Sequence, residues 1–124
     1  MARCIKAIPN ESKIEFVIGL HNQTSAFLTI AEFEESNNKI KLFDLIDFAS
    51  EAENKRNISN VVDVYTTKDN LILTQLYDEQ SRRNVLSSVN FERLENGGID
   101  VEKDKVKKTF FNFEDEGVFE YKII

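Results

Sequence analysis

Short segments in which apolar and polar residues alternate recur along the chain, separated by turn-forming residues. Alternation with a period of two is typical of a β-strand that buries one face. Pairing residues 26–34 with 39–43 places Glu34 opposite Lys39 and Phe33 opposite Ile40, so each face carries matching residues. The same test supports three further hairpins, formed by residues 2–8 with 13–19, 61–66 with 71–76, and 108–113 with 118–123. Successive local hairpins predict an antiparallel meander.

Two of these registers are specific enough to be compared with a structure. In the first hairpin, Pro9 suits the second position of a type I turn, and this turn places Ile8 opposite Lys13. In the hairpin of residues 61–66 with 71–76, Val64 is expected opposite Leu73.

Residues 78–94 have two interpretations, a strand or a helix that stops at Gly97. We favour a strand over 84–94, because the run from Ser87 to Asn90 contains poor helix formers. The Asn96-Gly97 pair is a strong hairpin signal, and a two-residue turn there would place Leu94 opposite Ile99.

One helix is predicted near residues 43–55. Its apolar positions, spaced three and four apart as on the buried side of a helix, are Leu42, Leu45, Ile46, Ala49 and Ala52. Acidic and amide residues occupy the intervening positions, and the basic pair at 55–56 lies where a helix end favours cations.

The chain has 124 residues, the size of a single domain, and we assign 1–124 to one globular unit. Nine or ten strands exceed what a single flat sheet usually contains. The predicted fold is therefore mainly β, an antiparallel meander that forms either a barrel or a two-layer sandwich with one helix.

The charge balance limits the classes of partner. The chain has 22 acidic and 16 basic residues, a net charge of −6, whereas proteins that bind nucleic acid or anionic membranes usually present a basic surface. We therefore expect no direct nucleic-acid partner and no membrane partner, and favour a basic protein. A single cysteine and the lack of a secretory signal pattern predict a cytoplasmic protein.

Catalytic, cofactor-binding and metal-binding motifs are not found in the sequence. The chain has one cysteine and one histidine, Cys4 and His21, too few for a structural zinc site, and the predicted hairpin does not bring them together. Gly97-Gly98 reads as a turn rather than a phosphate-binding loop. We therefore expect a non-enzymatic protein without cofactor or metal.

Acidic residues are concentrated in residues 31–54 and 94–124. The predicted function is binding of a basic protein through these segments, as by a bacterial immunity protein that inhibits a nuclease toxin. Alternatives are a small-ligand-binding β-barrel, a secretion chaperone or a structural subunit. The candidate partner-binding residues are Glu32, Glu34, Glu35, Asp44, Asp47, Glu51, Glu114, Asp115 and Glu116.

Overall fold

The structure is a computed structural model that describes residues 2–11, 13–22, 25–48 and 57–111. These ranges contain ten strands and one short 3-10 helix, Lys103–Lys105. The strands are β1 (Ala2–Ile8), β2 (Ile14–His21), β3 (Ala26–Glu34), β4 (Lys39–Asp47), β5 (Ile58–Thr66), β6 (Leu71–Asp78), β7 (Arg83–Asn90), β8 (Glu92–Arg93), β9 (Ile99–Asp100) and β10 (Lys107–Phe111).

Eight of the strands form two antiparallel sheets of four. Sheet A has the order β1-β2-β3-β4, and sheet B has the order β10-β7-β6-β5. The small β8–β9 hairpin forms the connection between β7 and β10. The predicted antiparallel, mainly β fold is confirmed, and of its two forms the two-layer sandwich is the one observed.

The inner faces of the two sheets pack against each other to form the core. Fully buried side chains from both sheets meet there, and they include Val17, Leu28, Ile30, Val61, Val64, Ile72, Leu76 and Val89. At Gly19 the sheets approach so closely that an added Cβ would lie 2.7 Å from Val61 Cγ1 and 2.7 Å from Cys4 Sγ. Glycine is therefore required at this position for β2 to pack against β5.

The two sides of the sandwich are closed by different contacts. On one side, the Thr66 hydroxyl of β5 donates a hydrogen bond to the Ala7 carbonyl of β1 at 2.6 Å. On the other side, the Phe48 ring, which follows β4, contacts the Phe110 ring of β10 edge to face, with centroids 6.4 Å apart. Within the described ranges, no helix has the length and hydropathy that crossing a membrane requires.

The hairpin registers differ in how closely they follow the sequence-based prediction. The β3–β4 register is confirmed, with Glu34 opposite Lys39 and Phe33 opposite Ile40. In the β1–β2 hairpin, Ile8 faces Glu15 rather than Lys13, a shift of two residues that keeps residues 4–8 on their predicted faces; the register changes again between Ala2 and Cys4.

The β5–β6 prediction is wrong by one residue, since Val64 faces Thr74 instead of Leu73. The turn closes one residue earlier than predicted, because the Thr67 amide donates to the Leu71 carbonyl. A register irregularity between Val61 and Asp63 restores the predicted pairing nearer the start of β5, where Val61 faces Leu76. An odd shift moves Leu73 to the opposite face of the sheet.

The helix predicted near 43–55 is wrong over residues 43–47, which belong to β4. A β-bulge explains the misleading spacing: Thr29 pairs with Asp44 and Leu28 with Ile46, so Leu45 is an extra residue. Both Leu45 and Ile46 pack toward the core, which imitates the three-four spacing of a helix. Residues 49–56 lie outside the described part of the chain.

The strand interpretation of residues 78–94 is confirmed, because this segment contains the end of β6, all of β7 and all of β8. The predicted pairing of Leu94 with Ile99 is wrong: Arg93 faces Ile99, and the Leu94 amide donates to the Gly98 carbonyl within the turn. Gly97 has a φ of 86°, a conformation that side chains other than glycine adopt at a cost.

A buried ion pair connects sheet A to the β8–β9 hairpin. Glu15 is 2 % exposed on the inner face of β2, and its Oε2 accepts a hydrogen bond from Arg93 NH1 at 2.7 Å. Asn10 donates to the other carboxylate oxygen at 3.0 Å. Arg93 also donates to the Gly97 carbonyl and to Asn70 Oδ1. The carboxylate is therefore compensated on both oxygens, as burial of a charge requires.

We expect Arg93→Met to lower the free energy of unfolding by about 3 kcal/mol, because it leaves the Glu15 carboxylate buried without its counter-charge. Urea denaturation at pH 7 measures the change. Arg83→Met is the control, since Arg83 is an exposed arginine on β7, and its effect should stay within about 0.5 kcal/mol. Equal losses in the two variants would contradict a structural role for the pair.

Two hydroxyl groups are buried in the core without a hydrogen-bond partner. Thr74 and Ser87 face each other on β6 and β7, and both are fully buried. We expect Thr74→Val to raise the free energy of unfolding by about 1 kcal/mol, because it removes an unsatisfied polar atom and keeps the shape of the side chain. Thr29→Val is the matched control, and it should destabilise because the Thr29 hydroxyl donates to Asp44 at 3.3 Å. Destabilisation by Thr74→Val in thermal unfolding would contradict the prediction.

Candidate functional site

The outward side of sheet A is apolar, although its inward side already forms half of the core. Cross-strand pairing arranges its side chains in rows, and the row of Leu20, Phe27 and Asp47 borders a separate cleft. We use the term outer face for the eleven residues of the other three rows: Ile5, Ile18, Thr29 and Asp44; Ala7, Phe16, Ala31 and Leu42; and Ile14, Phe33 and Ile40. Nine of the eleven are apolar, whereas an antiparallel sheet in a two-layer sandwich usually presents polar residues to solvent.

Several outer-face side chains are strongly exposed. Leu42 is 66 % exposed, Ile40 is 65 %, Ile5 is 57 % and Ile14 is 39 %. They lie in adjacent rows around smaller, buried Ala31, so they form one continuous patch rather than isolated apolar residues. Continuous exposed apolar patches mark sites of interaction with other molecules.

Sheet B provides an internal comparison, because its outward side is mixed. Its paired positions there combine apolar and aromatic residues with Asp63, Gln75, Asn84, Ser88 and Thr109. The apolar character of the outer face is therefore specific to sheet A.

One end of the outer face opens into a cleft of about 440 Å³, which we call the carboxylate groove. It is lined by Asn10, Glu11, Lys13, Ile14, Glu32, Phe33, Glu34, Glu35 and Ser36. Ile14 and Phe33 belong to both the outer face and the groove, so the apolar and acidic surfaces are continuous.

The sheet itself neutralises two of the four groove carboxylates. Lys13 Nζ lies 3.0 Å from Glu32 Oε1, and Lys41 Nζ lies 2.6 Å from Glu34 Oε1. The hydrogen bond from Lys41 and a second from Asn37 hold the pKa of Glu34 below its ordinary value of 4.5. The same ion pair raises the pKa of Lys41. Glu32 and Glu34 therefore add little net negative charge to the surface.

The other two carboxylates of the groove are exposed. Glu11 precedes β2 and Glu35 begins the β3–β4 turn, and neither has an ion-pair partner among the described residues. They are the groove charges that a partner could contact.

Asp44 and Asp47 were predicted on a helix face and instead lie on β4. Asp44 is an exposed member of the outer face, and it accepts a hydrogen bond from Thr29. Asp47 lies near Lys108 at a second cleft of about 290 Å³, which Phe27, Val101 and Val106 also line. Burial lowers the pKa of Lys108, and the negative charge of Asp47 partly offsets this effect.

The predicted partner-binding residues thus separate into three groups. The carboxylate groove brings together Glu32, Glu34 and Glu35, and Asp44 lies on the outer face. Asp47 is at the end of β4. Glu51, Glu114, Asp115 and Glu116 lie outside the described residues.

The sequence analysis missed the outer face itself. The signal was present in β3, where residues 26–31 contain five apolar residues and one threonine, a nearly continuous run rather than an alternation. Such runs are typical of strands that are covered on both faces.

Groups suited to metal binding do not assemble in the described ranges. Cys4 lies opposite Gly19, and His21 is two residues further along β2 on the same face, opposite Ala26. No cluster of three or more histidine, cysteine or acidic residues there has the geometry of a metal site.

The pKa of Glu34 provides a test of the groove charges. Because its folded-state pKa is lowered, the Glu34–Lys41 pair stabilises the fold above pH 4.5, and this contribution is lost as the pH falls through the lowered pKa. We expect Lys41→Met to raise the pKa of Glu34 toward 4.5, as measured by NMR titration of the side-chain carboxyl carbon. Lys39→Met should raise it less, because Lys39 makes the smallest contribution. Equal shifts would contradict the assigned pair.

Comparison with protein-family models, curated proteins and solved structures finds no match to this chain. The outer face and the adjoining carboxylate groove are therefore the features on which a functional assignment rests.

Proposed function

We propose that this protein is a non-enzymatic binding protein that attaches to, and neutralises, a basic protein. A bacterial immunity protein acting on a nuclease toxin is an example of this class. The observation that carries the proposal is the exposed outer face, where Ile40 and Leu42 present large apolar side chains next to Asp44. Apolar surface without a covering layer is costly in water, so a bound protein would stabilise it.

The charge of the chain supports a basic partner. The net charge of −6 attracts a positively charged surface over a distance and speeds encounter. An acidic inhibitor of this kind would occupy the lysine and arginine side chains that the partner otherwise uses to hold nucleic acid. Inhibition would then follow from competition for those side chains, without chemistry by this protein.

The proposal is tested by affinity capture from the organism that produces the protein, with wild-type and variant chains compared. Leu42→Lys places a charge in the middle row of the outer face, on the edge strand β4, and should weaken retention of the partner by about tenfold or more. Phe111→Lys is the matched control, because Phe111 is 40 % exposed but lies on β10 of sheet B. It should retain the partner as wild type does.

The captured protein is then identified and assayed for its own activity. We expect a basic protein, and we expect its activity to fall as an equimolar amount of wild-type chain is added. Capture that is equal for Leu42→Lys and Phe111→Lys would contradict binding through the outer face. A small-molecule adduct in native mass spectra, with no protein retained, would replace the proposal with ligand binding.

A further inference from the structure

The apolar part of the outer face is too small to form a stable interface alone. Its three rows extend over four strands, and strand spacing and rise give an area of about 200 to 300 Å². Stable protein interfaces bury about 800 Å² on each partner. A partner that covers the outer face must therefore also cover what lies at its ends.

Carboxylates that no described cation neutralises lie at both ends. Asp44 is in the row at one end, where it accepts a hydrogen bond from the Thr29 hydroxyl and lines the second cleft together with Asp47 and Lys108. Glu11 and Glu35 are at the other end, in the carboxylate groove. Covering these groups without supplying positive charge would bury uncompensated carboxylates, which is strongly unfavourable.

The same arrangement disfavours a second copy of this chain as the occupant. Because the outer face is acidic at both ends, two copies placed face to face bring carboxylates near carboxylates in either orientation. The lysines of β4 do not relieve this repulsion, since Lys41 lies on the other side of the strand and is paired with Glu34. Like charges brought together across an interface act against association.

From these observations we propose that the outer face and the carboxylate groove form one docking surface for a protein with an apolar centre and lysine or arginine at both ends. One cationic end lies against Asp44, and the other enters the groove beside Glu11 and Glu35. The inference rests on the proposed function and adds to it the charge pattern and orientation of the partner.

A pair of synthetic peptides tests the charge pattern without the natural partner. Both have a centre of three leucines alternating with two threonines, and they carry either two lysines or two glutamates at each end. Titration into ¹⁵N-labelled protein is followed by amide chemical shifts. We expect the lysine peptide to shift the amides of Ile14, Ile40, Leu42 and Asp44, and to bind about tenfold more tightly than the glutamate peptide.

Single neutralising variants then test the two ends separately. Asp44→Asn and Glu35→Gln should each weaken binding of the lysine peptide by about twofold to fivefold. Glu79→Gln is the control, because Glu79 is an exposed glutamate in the β6–β7 turn of sheet B, and it should have no effect. All three variants preserve side-chain shape, so folding is expected to be unchanged.

Three outcomes would overturn the inference. Equal binding of the two peptides would contradict the charge requirement. Chemical shift changes confined to other amides, or no binding of the lysine peptide, would contradict the proposed location of the docking surface. Dimerisation in sedimentation experiments that Leu42→Lys abolishes would make a second copy the occupant. The proposed function fails by a different result, the equal capture of a partner by the Leu42→Lys and Phe111→Lys variants.

Discussion

Sheet A has two apolar faces, and a second sheet can cover only one of them. Packing against sheet B buries Val17, Leu28 and Ile30, while Ile40 and Leu42 on the other side of the sheet stay exposed. The hydrophobic effect acts on both faces alike, because it depends on apolar area and not on position. The fold of the described residues therefore satisfies only part of the burial that the sequence of sheet A favours.

Charges in this molecule have two distinct structural roles. Some carboxylates are matched internally: Glu15 by Arg93, Glu32 by Lys13, and Glu34 by Lys41. The Glu15–Arg93 pair holds the β8–β9 hairpin against sheet A. The two lysine pairs lie at the end of sheet A that carries the carboxylate groove. Other carboxylates, such as Asp44 and Glu35, have no described counter-ion. Net charge alone therefore overstates the acidity that a partner would meet.

The local alternation of apolar and polar residues predicts much of the fold. The prediction fails where a strand contains one extra residue. The β3–β4 register follows from sequence because Glu34 and Lys39, and likewise Phe33 and Ile40, favour the same pairing. The bulge at Leu45 adds a residue that no turn signal marks, and apolar spacing alone cannot distinguish it from a helix. An irregularity in β5 between Val61 and Asp63 displaces Val64 by one position for the same reason.

The candidate site was harder to predict than the fold, because it depends on contacts between distant residues. Composition indicates that Glu32 and Glu34 are acidic, but only the folded sheet shows that lysines neutralise them. Prediction of the outer face would have required knowledge of which side of sheet A packs against sheet B. Asp44 was selected for its charge on a predicted helix, and it lies beside Leu42 because β4 is a strand.

The ion pair between Glu15 and Arg93 also has a consequence for the order of biosynthesis. The two residues are 78 positions apart, so all of sheet A leaves the ribosome before Arg93 is made. Until that moment the Glu15 carboxylate must remain hydrated, since burying it alone is unfavourable. Closure of the sandwich over this end of β2 is therefore a late event in synthesis. A nascent chain that stalls earlier would keep the inner face of sheet A, like its outer face, open to chaperones.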